Sequence, residues 1–357
     1  MNDGIYKKLC EEMAKRGGRY PGKDIPEFYD LVKELFTPEE AAVAAAMTLR
    51  PASAVIIAQQ MGKEEKEIAS LLEALAEKAL CLSYTNDGTR FYKGVPFVPG
   101  IFEFQFMKGT STDRDRRLAR LIHAYKQSFD QATGPLEITF PPNRVIPIGV
   151  TIRPESKIHT FNQLSSYIDR AETVSVATCF CRHEAKLLDE KDDCGMPDEV
   201  CMNFGMSAQF LIDRGMGRKV TKEEAKDILR KASEAGLVHA GLNIQELDFI
   251  CNCCACHCMI LKSALSQPKP GRALYSGYQP CVDPGLCTSC ETCIGRCPAE
   301  AMTLLENLPV IDPDRCFGCG VCAVGCPMEA IKMEEKPGLP IPPTNRKELQ
   351  KAMKTQV

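Results

Sequence analysis

The chain has 357 residues, of which 44% are hydrophobic and 25% are charged, and this length and composition allow two or three globular domains. A net charge of −3 removes any general electrostatic reason to expect nucleic acid or an anionic membrane as a partner. No apolar run reaches the roughly 20 residues of a membrane helix and the N-terminus has no signal-peptide pattern, so we expect a cytoplasmic protein with no membrane span.

Residues 1–133 carry helical patterns and predict the first domain. The segment Thr37–Glu40 reads Thr-Pro-Glu-Glu, a capping box with proline at the first helical position, so a helix should follow it through Met47. A second helix fits residues 52–61. Residues 63–78 place apolar side chains at the 3.6-residue period of a buried helical face, which predicts a third helix.

A hairpin is predicted directly after the third helix. The sequence Asn86-Asp87-Gly88 is a turn signal between two runs typical of strands, residues 81–84 and 91–92. Three helices followed by a two-stranded ribbon resemble a winged-helix domain, and many winged helices bind DNA through their third helix. Here the third helix carries more acidic than basic side chains, which phosphates would repel, so a protein partner is favoured over nucleic acid.

Proline-rich stretches divide the rest of the chain. Residues 134–158 contain five prolines and predict an extended connector. Residues 159–270 form a cysteine-rich domain that we expect to be helical, because Thr221–Glu224 is a second capping box and should open a further helix. Residues 271–335 form the next domain, and residues 336–357 are a proline-rich tail that we expect to be irregular.

Cysteine is the unusual residue type of this sequence. There are 20 cysteines, and all except Cys10 and Cys81 lie between Cys179 and Cys326. A cytoplasmic chain keeps its thiols reduced, so closely spaced cysteines indicate metal ligands or redox-active groups rather than disulfides. Their number also suggests an organism that lives with little oxygen.

The middle domain holds nine cysteines in two segments that a folded domain must bring together. We expect them to bind one or more iron–sulfur clusters; zinc and redox-active or persulfide-carrying thiols are the alternatives that ligand softness also allows. His257 is either a further ligand or a solvent-facing loop residue, and Arg182 and Asn252 are candidate hydrogen-bond donors to cluster sulfurs. The candidate metal ligands are Cys179, Cys181, Cys194, Cys201, Cys251, Cys253, Cys254, Cys256 and Cys258.

The C-terminal domain repeats one cysteine pattern. The run C-x2-C-x2-C-x3-C-P occurs from Cys287 to Pro298 and again from Cys316 to Pro327. In this run three closely spaced thiolates converge on one face of a cubane cluster. Zinc sites usually use separated C-x2-C pairs instead, so the pattern predicts two [4Fe-4S] clusters.

The two runs resemble bacterial dicluster ferredoxins, which implies a βαββαβ-type domain in which the fourth cysteine of each run binds the other cluster. The implied ligand sets are Cys287, Cys290, Cys293 and Cys326 for one cluster and Cys316, Cys319, Cys322 and Cys297 for the other. The chain as a whole resembles a group of multidomain ferredoxin-like iron–sulfur proteins of anaerobes with a winged-helix-like N-terminus and Cys-x-Cys-Arg and Ile-Cys-Asn-Cys-Cys segments. The resemblance implies an α+β architecture and no particular reaction.

The predicted function is electron transfer. We expect an iron–sulfur protein that relays low-potential electrons between protein redox partners, as a component of an oxidoreductase. The sequence has no C-x3-C-x2-C triplet of radical-SAM enzymes, no G-x-G-x-x-G nucleotide motif and no Rieske pattern, so no catalytic residue is predicted. The alternatives are a redox-sensing winged-helix transcriptional regulator and an enzyme whose active site is the middle cysteine domain.

Overall fold

A computed structural model describes residues 3–134, 138, 140–148, 152, 163–189 and 194–355 of the chain. Within these residues the backbone is mixed helix and sheet, in agreement with the α+β class. The described residues divide into two compact units. The first unit consists of residues 3–134, 183–189 and 210–217; the second consists of residues 138, 140–148, 152, 163–182, 194–209 and 218–355. Much of the predicted connector lies outside the described residues.

The first unit is mainly helical and contains one small antiparallel sheet with the strand order β1-β3-β2. Its helices are α1 (Asp3–Arg16), α2 (Pro26–Leu35), α3 (Pro38–Ala46), α4 (Ala54–Met61), α5 (Glu65–Glu77), α6 (Ile101–Phe106) and α7 (Asp113–Thr133). Its strands are β1 (Ala52–Ser53), β2 (Cys81–Asn86) and β3 (Thr89–Gly94).

The three predicted helices and the predicted hairpin all form. The capping box of α3 is complete: Glu40 N donates to Thr37 Oγ1 over 3.2 Å, and Thr37 N donates to Glu40 Oε2 over 2.9 Å. The turn of the β2–β3 hairpin lies at Asp87 and Gly88, which both have positive φ. The strand β1, which pairs with β3, and the helices α1, α2, α6 and α7 have no boundary signal of this kind among the predicted elements.

The second unit contains the candidate metal ligands. Its helices are α8 (Leu164–Arg170), α9 (Phe180–Leu187), α10 (Gly205–Asp213), α11 (Lys222–Glu234), α12 (Met259–Leu265), α13 (Pro270–Ala273), α14 (Thr292–Gly295), α15 (Val321–Val324) and α16 (Arg346–Thr355), and α9 and α10 are divided between the two units. Its strands are β4 (Asn143–Val145), β5 (Val174–Thr178), β6 (Glu199–Phe204), β7 (Arg218–Lys219), β8 (Val238–Leu242), β9 (Phe249–Cys253), β10 (Tyr278–Val282), β11 (Met302–Leu305), β12 (Leu308–Ile311) and β13 (Ile331–Glu335).

The prediction of a helical middle domain is wrong, because its central feature is a six-stranded antiparallel sheet with the order β4-β8-β9-β6-β5-β7. Nearly every residue of β5, β6 and β8 is buried, so these strands lack the alternation of apolar and polar residues that reveals a half-exposed strand. The helix predicted after Thr221 does form, as α11. The expectation of an irregular tail is also wrong, since α16 follows its prolines.

The C-terminal part of the second unit has two strand pairs, β10 with β13 and β11 with β12, both antiparallel. The strands β11 and β13 fall on the segments that follow the two C-x3-C-P sequences. One short helix lies within each cysteine run, α14 in the first and α15 in the second. Among the described helices, none is both long enough and apolar enough to cross a membrane.

Candidate metal centres

The loops of the two ferredoxin-type runs have the same backbone conformation. In the first run Ser289 and Glu291 have φ values of 54° and 57°, and the equivalent residues of the second run, Gly318 and Gly320, have φ values of 69° and 83°. These left-handed residues curl each loop between its cysteines. Glycine is required at position 318, since a Cβ there would lie 2.0 Å from the carbonyl oxygen of Tyr278.

The four cysteines of the second implied ligand set lie around one cavity. Cys297, Cys316, Cys319 and Cys322 line a single cavity, so the fourth cysteine of the first run lies with the first three of the second run. Burial raises the pKa of Cys319 to about 12 and also raises that of Cys322. The amide of Ala301 donates a hydrogen bond to Cys297 Sγ over 3.3 Å. The four gathered cysteines therefore fit the ligand set of one thiolate-bound cluster.

The first implied ligand set is closer to solvent. Burial raises the pKa of Cys293, and the nearby Cys326 and Cys287 raise it further, so these three thiols lie near one another. Cys290 is exposed, and its sulfur lies 3.4 Å from the hydroxyl of Thr292, which lowers the pKa of the thiol.

The two ferredoxin sets share one hydrophobic core. Cys293 from the first set and Cys322 from the second are buried in the same cluster of apolar side chains, which also contains Met302 and Met333. Cys297 and Cys326, the cysteines that precede proline, pack against this cluster. Both sets are thus held within one packed core.

The nine middle cysteines divide into two groups. We call the first group the six-thiol group. It lies at the junction of β5 with α9, in the neighbouring strands β6 and β9, and at the start of α12. Cys251 contacts Cys201 and Cys253, Cys258 contacts Cys181 and Cys253, and Cys179 is close to Cys251 and Cys258. The six-thiol group consists of Cys179, Cys181, Cys201, Cys251, Cys253 and Cys258.

Contacts within the six-thiol group shift its pKa values in opposite directions. Hydrogen bonds from Cys201 and Cys253 lower the pKa of Cys251 to about 5. The pKa of Cys258 is lowered for the same reason by Cys181 and Cys253. The donating thiols have raised pKa values. Five of the six thiols thus hydrogen-bond to another member of the group.

The second group, which we call the four-ligand group, consists of Cys194, Cys254, Cys256 and His257. One ligand atom from each residue lies within 4.8 Å of those of the other three. Cys254, Cys256 and His257 lie on the turn between β9 and α12, and Cys194 lies in the segment before β6. The structure therefore brings His257, left open by the sequence, together with three of the predicted cysteines.

Arg182 and Asn252, the two candidate hydrogen-bond donors to cluster sulfurs, have different bonding partners. The buried guanidinium of Arg182 donates to Cys254, and its Nη1 donates to the carbonyl oxygen of Asn252 over 3.3 Å. The Asn252 side chain lies on His239 and Val200, with Oδ1 2.5 Å from His239 Nδ1 and Nδ2 donating to Val200 O over 2.5 Å. Arg182 thus contacts a candidate ligand sulfur, whereas the Asn252 side chain bonds to His239 and Val200.

The six-thiol group adjoins the second ferredoxin set. Cys253 and Cys258 are buried in one apolar cluster with Phe317 and Val321, which lie in the second ferredoxin run. Cys251 of the six-thiol group packs against the same cluster, as do three cysteines of the second ferredoxin set: Cys297, Cys316 and Cys319. One continuous core therefore connects the middle cysteines to the ferredoxin-type part of the chain.

Three cysteines belong to none of these groups. Cys10 and Cys81 are buried in the first unit, and Cys281 lies in β10. Burial raises the pKa of Cys10 to about 11 and that of Cys81 to about 12, as expected for thiols that serve packing.

Comparison with known proteins identifies one part of the chain. Residues 309–332, which include the second cysteine run, match the family of 4Fe-4S binding domains. Comparison with curated proteins and with solved structures gives no match. The chain therefore contains an iron–sulfur module of the ferredoxin type that binds a 4Fe-4S cluster.

Proposed function

We propose that the chain binds two [4Fe-4S] clusters in its C-terminal part and relays low-potential electrons between protein redox partners, as a component of an oxidoreductase. The first cluster is held by Cys287, Cys290, Cys293 and Cys326, and the second by Cys316, Cys319, Cys322 and Cys297. The observation that carries the proposal is the single cavity lined by the second set, because it gathers cysteines from both runs.

The packing of the thiols supports a relay. When bound, the clusters supply one-electron chemistry, and the protein supplies their spacing and their access to solvent. The shared core around Cys293 and Cys322 holds the two ligand sets side by side. Cys290 is exposed, so the first set is the natural contact point for an external partner, whereas Cys319 and Cys322 face the interior.

The six-thiol group extends this proposal to a further iron–sulfur cluster. Its members supply more thiols than one cubane requires, and they pack against the same core as Cys316 and Cys319. Thiols buried away from solvent are costly to ionise unless a metal compensates their charge. A third cluster would therefore continue the series of redox centres inward from the exposed first set.

The first unit is proposed to dock a protein partner rather than DNA. The N-terminal turn of α5 begins with acidic side chains, Glu65 and Glu67. Farther along the helix Glu73 receives hydrogen bonds from Arg90, Tyr92 and Arg214, so these two basic side chains are engaged within the unit. An acidic surface repels phosphates and favours a basic protein surface.

A potentiometric titration of the anaerobically prepared full chain tests the electron-transfer proposal. We expect reversible bleaching of the visible iron–sulfur absorption at low potential, in the region of about −400 mV that is typical of ferredoxins. Electron paramagnetic resonance of the reduced chain should show two interacting reduced clusters, because their ligand sets share one core. A chain with no reducible chromophore would rule the proposal out.

A further inference from the structure

The four-ligand group is more compact than a cubane site can be. All of its ligand atoms lie within 4.8 Å of one another, and Cys254 Sγ lies 3.9 Å from His257 Nδ1. Cys256 contacts both Cys254 and Cys194. The four atoms thus converge on a space the size of one ion.

The distances distinguish two kinds of metal site. Bond lengths of about 2.3 Å to sulfur and about 2.0 Å to nitrogen place the ligands of a tetrahedral zinc ion about 3.5–3.8 Å apart. In a cubane each thiolate binds a different iron, so the sulfurs stand farther apart by about one iron–iron edge. In the part of the chain that the structure describes, no other set of three or more such side chains is gathered this closely, the ferredoxin cysteines included.

We propose that Cys194, Cys254, Cys256 and His257 form a mononuclear tetrahedral zinc site, separate from the iron–sulfur centres. Three thiolates and one imidazole are an established ligand set for structural zinc. Four protein ligands leave no open position for a substrate, so the site is structural rather than catalytic.

A buried positive charge lies beside the site. Three thiolates and one Zn²⁺ carry a net charge of −1, and the guanidinium of Arg182, only 2% exposed, donates to Cys254. The same guanidinium also pairs with Asp198, whose Oδ1 lies 3.6 Å from Arg182 Nε. The backbone amide of His257 also donates to the sulfur of Cys254. Cys194 and Cys254 meet an apolar cluster that contains Val200 and Leu237, which shields one side of the site from water.

The position of the site indicates what the zinc does. It fixes the turn at Cys254–His257, and the residues on either side of this turn, Cys253 and Cys258, belong to the six-thiol group. A zinc ion here ties the turn to the segment of Cys194 and so holds the adjacent thiols in place. Its loss should loosen the six-thiol group before it affects the ferredoxin runs.

The experiment measures metals in the full chain, prepared without oxygen and with both iron and zinc supplied. We expect one zinc per chain, and X-ray absorption at the zinc edge should show three sulfur ligands and one nitrogen ligand. In the His257→Ala variant the nitrogen ligand should be lost and zinc should be removed by a chelator at least about tenfold more easily. His123→Ala is the matched control, because His123 lies in α7 of the first unit and its Nε2 contacts the side chain of Gln127, one helical turn away.

Two results would overturn the inference. One is a Cys256→Ser variant that loses iron and inorganic sulfide instead of zinc, which would make the site part of a cluster. The other is a zinc edge without a histidine nitrogen in the unaltered chain. If a variant does not fold, cobalt substitution of the unaltered chain is measured instead. Absence of the visible bands of tetrahedral cobalt bound to thiolate would equally overturn the inference.

The metal analysis also separates the two proposals. A chain that holds iron and sulfide but no zinc refutes this zinc site alone, whereas a colourless chain that holds zinc refutes the electron-transfer proposal alone.

Discussion

Replacing Cys322 with alanine should remove one of the two ferredoxin clusters and lower the iron content by about four per chain. Cys322 is buried beside Cys293 in the core that both ligand sets share, and no water can replace its sulfur there without opening that core. We therefore expect loss of the magnetic interaction between the clusters in the reduced chain, measured by electron paramagnetic resonance. Cys10→Ala serves as the control, since Cys10 is also buried but lies in α1.

The crossed arrangement of ligands predicts which cysteine variants should lose the same cluster. Cys297→Ala should have the same spectrum as Cys322→Ala, because both cysteines line the same cavity. Cys326→Ala should instead remove the cluster closer to solvent. If Cys297→Ala removed the same cluster as Cys293→Ala, each run would bind its own cluster and the ligand assignment would be wrong.

Replacing Arg16 with methionine should destabilise the first unit by about 3 kcal/mol, because it removes several charge-assisted hydrogen bonds and leaves buried carbonyl groups unpaired. Nη1 of Arg16 donates to Val95 O over 3.2 Å, and Nη2 donates to Met47 O over 3.1 Å and also to Ala44 O. One side chain of α1 thus ties the end of α3 to the residue that follows β3. Burial lowers the pKa of Arg16 to about 10, so the side chain stays charged at neutral pH.

The measurement is a urea titration followed by tyrosine fluorescence, which is usable because the chain has no tryptophan. Lys15→Met is the matched control, since the Lys15 side chain is 69% exposed and its change should cost less than about 1 kcal/mol. Equal midpoints for the two variants would show that the Arg16 hydrogen bonds do not support this unit.

The sequence predicted best where the signal is local. A capping box needs only four consecutive residues, and the helix begins at Pro38, directly after the capping residue Thr37, as predicted. The ferredoxin-type runs are equally local, because three of four ligands lie within one loop whose curl is set by residues such as Gly318 and Gly320. The hairpin at Asp87–Gly88 follows the same rule.

The sequence predicted least where distant segments meet. The division of nine middle cysteines into groups of six and three depends on how β5, β6 and β9 are arranged in the sheet, and spacing along the chain does not contain that arrangement. His257 lies 3.9 Å from Cys254 within its own turn, but the fourth member of its group, Cys194, comes from about sixty residues earlier in the chain. Its one available signal was adjacency to Cys256, which is equally compatible with an exposed loop.

Long-range polar contacts link two later segments of the chain to the first unit. Residues 183–189 join it through His183, whose Nε2 lies 2.7 Å from Thr110 O, and through Glu184, whose carboxylate accepts from Lys126 Nζ. Residues 210–217 join it through Arg214, which donates to Glu73 over 2.8 Å. Neither segment carries a pattern that would assign it to a unit whose main part ends at residue 134.

Iron and inorganic sulfide per chain, measured on protein purified without oxygen, test the central claim most directly. Two four-iron clusters require about eight irons with an equal amount of sulfide, and about twelve if the six-thiol group also holds a cubane. Zinc without sulfide, in a colourless chain, would contradict the account, because the thiols of the two runs would then not be holding iron–sulfur clusters.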